Sequence, residues 1–280
     1  MISARGIHGK CIFAERMEED KQMSFLDHLE ELRWRLVRIA IAIVIVATVL
    51  FFFQEWIMNN IFLSMSNKHF ISFRLMCEYF NVCITEIPVR FQSQEMSGQF
   101  SYALMTSIMG GIVLSFPFIF YQIWAFVEPG LKLKEKKAAK GIVFWVSILF
   151  FLGILFGYFL VAPLCVQFFG AYQISGKIEN IFTVNSYMST ILSTVFYSGL
   201  LFLLPVISYI FASLGIITPD FLRKYRKHAI VAVLIVAALI TPPDVISQIL
   251  VSIPILLLYE IGILVAARVY KRRLKEETQG

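Results

Sequence analysis

Apolar and polar positions alternate along this chain in long blocks rather than residue by residue. Five apolar runs are long enough to cross about 30 Å of hydrocarbon as helices: Leu36 to Phe53, Tyr102 to Trp124, Ile142 to Phe169, Tyr187 to Leu214 and Val245 to Ala267. A sixth run, AIVAVLIVAALI from Ala229 to Ile240, covers only about 18 Å as a helix. It stands between a basic segment and TPPD, directly ahead of another apolar run. It therefore reads as one arm of a short transmembrane hairpin, spanning about 228–241, that tilts little and thins the bilayer locally. The pattern predicts an all-α polytopic membrane protein with six transmembrane helices, the last two short.

The spans carry Pro117, Pro163, Pro205 and Pro254. Each removes a backbone hydrogen bond and bends its helix, which predicts a curved, concave bundle; equally, proline is simply common in membrane helices. Between the first two long runs, QEWIMNNIFLSM reads as a helix lying along the membrane surface, and ITEIPVRF as extended chain. The other connections are short, so the chain divides into a polar leader 1–22, a single membrane domain 23–273 and a tail 274–280. The first 30 residues lack the apolar core of a cleavable signal peptide, and Met17 or Met23 is a candidate start.

Composition agrees with a membrane protein. Hydrophobic residues make up 58% of the chain, charged residues only 16%, and mean hydropathy is +0.74. A net charge of +6 raises the possibility of nucleic acid, but the charges lie between apolar runs, which argues against that partner. With six spans, 21 of the 25 Lys and Arg residues fall on one side, the four exceptions being Lys68, Arg74, Arg90 and Lys177. The positive-inside rule then places both termini in the cytoplasm. Five spans would split the basic loops between the two faces.

Reactive chemistry is sparse. The four Asp residues, Asp20, Asp27, Asp220 and Asp244, lie outside or at the ends of spans, which excludes an intramembrane aspartyl dyad. No His pair has metal-ligand spacing and no glycine-rich phosphate loop is present, so neither a metal nor a cofactor is expected, and the chain is not expected to be an enzyme. Thr218 with Pro219, and Thr241 with Pro242 and Asp244, have the form of helix starts. For Asp244 a capping role and a functional one both stand. Glu260 is plainly ionisable within a span, roughly 12 Å along the helix from Arg268. It is either a functional carboxylate or a polar strut between helices. Cys77 and Cys83 form a disulfide or remain two thiols.

HLEELRWRL, residues 28 to 36, puts carboxylates and arginines at the threshold of the first span. A capped turn led by Ser24, with Asp27, Glu31 and Arg35 at i, i+4 spacing, would account for them without any ligand. Yet FLDHLEELRWRL, FPFIFYQIWAFVEPGLKLKEKK, GIITPDFLRKYRKHAIV and LITPPDVISQILVSIPILLLYEIGI, in this order around six spans, resemble TatC, the multispan core of the twin-arginine translocase. The resemblance runs from about Ser24 to Arg273.

It implies a non-enzymatic receptor in the bacterial cytoplasmic (inner) membrane. Such a receptor binds paired-arginine signal peptides of folded cargo proteins at the cytoplasmic face. It also assembles single-span TatA- and TatB-type subunits into an oligomeric complex for export driven by the proton-motive force. By the same resemblance Glu31 and Glu135 bind the arginines, with Arg33 adjacent and Phe126 shaping the site. The physics agrees, since a guanidinium forms paired charge-assisted hydrogen bonds with a carboxylate. Two departures stand out: FLLPV places Leu203 where many relatives carry a buried glutamate, and FQSQEMSGQFSYALM differs from the usual Thr-Glu-Pro pattern. Leu203, Asp244 and Glu260 are the structural or partner-contact candidates. The competing classes are a secondary transporter of a small solute or ion and a structural scaffold.

Overall fold

The computed structural model describes residues 25–67, 70–80, 90–128, 141–173, 175, 181–213, 215, 217–241 and 245–278. The leader, Glu135, Asp244 and Cys83 lie outside the described residues, as do the side chains of Asp27 and Cys77.

Helix α1 (Phe25–Phe52) is followed by α2 (Gln54–Ile57), which passes through a π turn (Met58–Phe62) into a 3₁₀ turn (Leu63–Ser66). Next come α3 (Ile71–Phe80), β1 (Arg90–Gln92) and α4 (Gly98–Val127). Helix α5 (Ile142–Phe156) continues through a second π turn (Gly157–Val161) into α6 (Ala162–Ala171). After β2 (Ile181–Thr183) come α7 (Val184–Leu201), α8 (Leu204–Ser213), α9 (Pro219–Lys224), α10 (Arg226–Ile240) and α11 (Val245–Thr278).

Five helical stretches among the described residues are long and apolar enough to cross a membrane: His28–Phe52, Gly98–Val127, Ile142–Ala171, Val184–Ser213 and Gln248–Lys271. Each coincides with one of the long apolar runs. Helix α10, at 15 residues, spans about 22 Å, but it is part of the bundle. Its Val233 and Ala237 are buried against Val251 and Ile255 of α11 and Val161 and Cys165 of the third span. The expected shortness therefore applies to α10, whereas α11 is 34 residues long.

Helices α1 and α4 run antiparallel. Gly111 lets α4 approach so closely that an added Cβ would sit 3.0 Å from the Ile43 carbonyl and 3.1 Å from the Ala47 Cβ. Ser107 donates to Gln54 at 3.3 Å farther along. None of the apolar window of α1 is buried, so its side chains meet lipid while small residues make the contact with α4. Helices α5 and α7 also lie close, because Gly153 and Gly157 face Ser198 and Gly199. Alternating directions gather the described cations Arg33, Arg35, Arg38, Arg223, Lys224, Arg226, Lys227, Arg268 and Lys271 toward one end of the bundle. That end is called the basic end below.

The opposite end is closed by a cap. The QEWIMNNIFLSM segment is helical, in three successive geometries, but its apolar face turns inward: Ile57, Phe62 and Met65 are buried against Ala162, Val166, Tyr187, Met188 and Ile191. Carbonyls at the π turn are met from other helices, with Tyr187 donating to Phe62 at 2.6 Å and Tyr158 to Ile61 at 2.8 Å. Of ITEIPVRF only Arg90 and Phe91 are described, and they open β1, which pairs parallel with β2 with Phe91 opposite Phe182; the rest of that stretch lies outside the described residues. This small sheet is the one departure from all-α among the described residues.

Thr218 caps α9 as its sequence indicates, accepting from the Phe221 N–H at 3.3 Å with Pro219 in the first turn. Thr241 donates its hydroxyl back to the Ala237 carbonyl at 2.8 Å at the end of α10, while the helix start expected at Pro242 and Asp244 lies outside the described residues. The fourth span is interrupted at Phe202 and Leu203, just ahead of Pro205, rather than being one continuous helix.

Candidate functional site

The start of α1 and the end of α4 meet at the basic end, so residues about ninety positions apart form one cluster. Glu31 and Arg35 lie one turn apart on α1. Arg35 donates to Glu31 Oε1 from Nε at 2.9 Å and from Nη2 at 2.5 Å. Its Nη1 reaches across to Gln122 Oε1 of α4 at 3.3 Å. Gln122 is 5% exposed, and the Arg35 and Glu31 side chains 17% and 25%, so this charge pair is largely shielded. The other carboxylate oxygen, Glu31 Oε2, is buried and has no hydrogen-bond partner among the described residues.

One turn before Glu31, the His28 ring stacks on Phe126, with centroids 4.2 Å apart and planes within 12°. The half-buried Trp124 belongs to an apolar cluster with Ile142, Val146 and Val206, which anchors this end of α4. Arg33 and Trp34 are exposed on α1. The arrangement is an apolar ledge beside a partly desolvated carboxylate with one buried oxygen that has no donor among the described residues. Chemically it suits a cation that brings several N–H donors, and a guanidinium fits better than an ammonium.

The i, i+4 pairing of Glu31 with Arg35, read from the sequence as a way to stabilise a turn, is thus present in the structure. Gln122 and His28 were not singled out by sequence. The available signal for Gln122 was an amide standing alone in the apolar stretch FPFIFYQIWAF.

The family model "Sec-independent protein translocase protein (TatC)" matches residues 27–254, most of the chain. The chain belongs to the TatC family. It is 35% identical over 263 residues to the Sec-independent protein translocase protein TatC of Blattabacterium sp. subsp. Periplaneta americana, covering 91% of this chain and 99% of that protein. It is 36% identical over 254 residues to TatCy of Bacillus subtilis, covering 91% and 92%. A crystal structure of the twin arginine translocase receptor TatC in DDM superposes with a TM-score of 0.66 at 31% identity, covering 85% of this chain and 99% of that one. As a member of this family, the protein is a multispan membrane component of a Sec-independent protein translocase.

Two further residues have defined places in the bundle. Glu260 of α11 accepts from Arg226 Nη2 of α10 at 2.7 Å, and both side chains are about half exposed. The carboxylate thus ties two helices together at the basic end. Leu203 sits at the break in the fourth span and packs on the cluster of Ile142, Val146 and Val206.

Proposed function

We propose that the protein is the signal-peptide receptor and core subunit of a twin-arginine translocase in a bacterial cytoplasmic membrane, with both termini in the cytoplasm. It binds paired arginines of folded cargo through Glu31 and Glu135 at the basic end, which faces the cytoplasm, and acts by binding and assembly rather than by bond making. Single-span Tat subunits are its partners in the membrane. The observation that carries this reading is the partly buried Glu31 carboxylate, with one oxygen unmet, beside the His28 and Phe126 ledge in a TatC-family chain. The positive-inside rule supports the orientation. The transporter alternative loses support because Glu260, the one plainly ionisable group within a span, is engaged by Arg226 in an ion pair between helices.

The test is binding of a labelled Arg-Arg signal peptide to the purified full chain in nanodiscs, with a Lys-Lys version for comparison. A charge-assisted hydrogen bond contributes about 1.5–3 kcal/mol, so Glu31→Gln and Glu135→Gln should each weaken binding roughly ten- to a hundredfold. Glu30→Gln, at an exposed neighbouring position, should change little. Undiminished Arg-Arg binding by the Glu31→Gln, Glu135→Gln double variant would return Glu31 to a purely helix-stabilising role.

A further inference from the structure

Resting on the reading of Glu31 as an arginine acceptor, we propose that Arg35 is the positioning and specificity-determining residue of that site. It holds Glu31 by one oxygen and leaves the other, the buried Oε2, without a donor until an arriving guanidinium supplies one, while Gln122 fixes Arg35 from the facing helix.

The argument starts from how the donors are distributed. An arginine facing a carboxylate commonly forks across both oxygens. Here Arg35 Nε and Nη2 both converge on Oε1, and Nη1 is drawn away to Gln122 Oε1 on α4. Three contacts on two helices fix the guanidinium plane, and through it the carboxylate rotamer. Oε2 keeps its full acceptor capacity yet is buried and unpaired among the described residues. A buried acceptor without a donor is unfavourable, so the site is poised for one.

The second consequence is discrimination. A ligand cation bonding Oε2 must sit next to the positive charge of Arg35. A guanidinium is planar, delocalised and weakly hydrated, so it can lie close to another guanidinium, with the apolar ledge of Phe126 and His28 at its side. An ammonium is a compact, strongly hydrated point charge that pays more for desolvation and feels the neighbouring charge more sharply. Arg35 therefore works against lysine in the ligand as well as for arginine. A resident cation that merely neutralised Glu31 would instead compete with every cationic peptide.

The experiment titrates labelled Arg-Arg and Lys-Lys signal peptides into the same nanodisc preparation of each full-length variant and reads the affinity ratio. That ratio does not depend on the fraction of protein that folded. Arg35→Gln should weaken Arg-Arg binding about tenfold and bring the ratio close to one. Arg35→Lys retains the charge but not the fork, and should recover strength without recovering the ratio. Gln122→Leu should lower the ratio by a smaller factor. Tighter Arg-Arg binding by Arg35→Gln would show that Arg35 competes with the ligand, and an unchanged ratio would show that it does not select; either result overturns the proposal. Glu31→Gln separates the two levels. Unimpaired binding in that variant removes the arginine-acceptor reading itself, whereas a defect there combined with a normal Arg35→Gln removes only the role given to Arg35.

Discussion

Ser72 of α3 donates its hydroxyl to the carbonyl of Phe159, four residues before Pro163. In a regular helix that carbonyl would accept from the N–H of residue 163, which proline lacks. The cap helix supplies the missing donor, and the π turn at Gly157–Val161 gives the carbonyl room to turn outward. The relationship explains how a proline-bearing membrane helix stays satisfied and why the cap is fastened to the third span.

Ser72→Ala should lower stability by about 1–2 kcal/mol, the usual effect of leaving a buried carbonyl unmet. Thermal unfolding in detergent is the measurement. Pro163→Ala restores an N–H at the required position, so the double variant should lose less than Ser72→Ala alone. Strict additivity would mean that the hydroxyl does not stand in for the proline.

Close approach of α5 and α7 makes Gly153 intolerant of a side chain. A Cβ there would lie 2.7 Å from the Ser198 carbonyl oxygen and 2.8 Å from the Gly199 Cα, both backbone atoms that cannot swing aside. Gly153→Ala is expected to cost about 1–3 kcal/mol through helix separation. Gly110→Ala meets only the Leu50 Cδ1 at 2.7 Å, the far end of a flexible side chain, and should be close to neutral. Equal effects of the two substitutions in thermal melts would contradict this account of the interface.

Arg226 and Glu260 join α10 to α11 across about half-exposed side chains. A pair this accessible is worth roughly 0.2–1 kcal/mol in water. In a double-mutant cycle, Arg226→Gln and Glu260→Gln should show a coupling of that size, with the double variant little worse than either single one. Zero coupling would leave the short helix α10 held by its apolar packing at Val233 and Ala237 and by the Gln248 hydrogen bond to the Leu234 carbonyl.

Leu203 packs in an apolar cluster at the break of the fourth span. Leu203→Glu should therefore destabilise this chain by about 1–3 kcal/mol, because the cluster around it offers a carboxylate mostly apolar neighbours. Leu203→Met should be tolerated. Crosslinking from the fourth span should still capture a single-span partner with leucine in place. Capture by the glutamate variant alone would show that the contact requires the carboxylate.

Topology is open to a direct check. Cysteines introduced between Ser213 and Lys227 should react with a membrane-impermeant reagent only from the side that also exposes the N terminus. Labelling solely from the other side would remove the six-span arrangement.

The long helices were legible in the sequence because a bilayer imposes a length and an apolarity on any segment that crosses it. Runs such as Ile142 to Phe169 therefore announce themselves without reference to neighbours. The basic loops were legible for a related reason, since charge segregates by side. Thr218 and Pro219 marked a helix start because capping involves only adjacent residues. What depended on distant partners was hidden. The inward turn of QEWIMNNIFLSM needed Tyr187 and Met188 to receive it, and although Pro205 announced a bend in the fourth span, the cluster on which Leu203 packs at that break was not local to it. The sequence by itself determined which segments enter the membrane and placed Glu31 at its threshold. Only the tertiary structure decided that Glu31 keeps one buried oxygen without a donor, because Gln122, nearly ninety residues away, comes within hydrogen-bond reach of Arg35 when α4 folds back along α1.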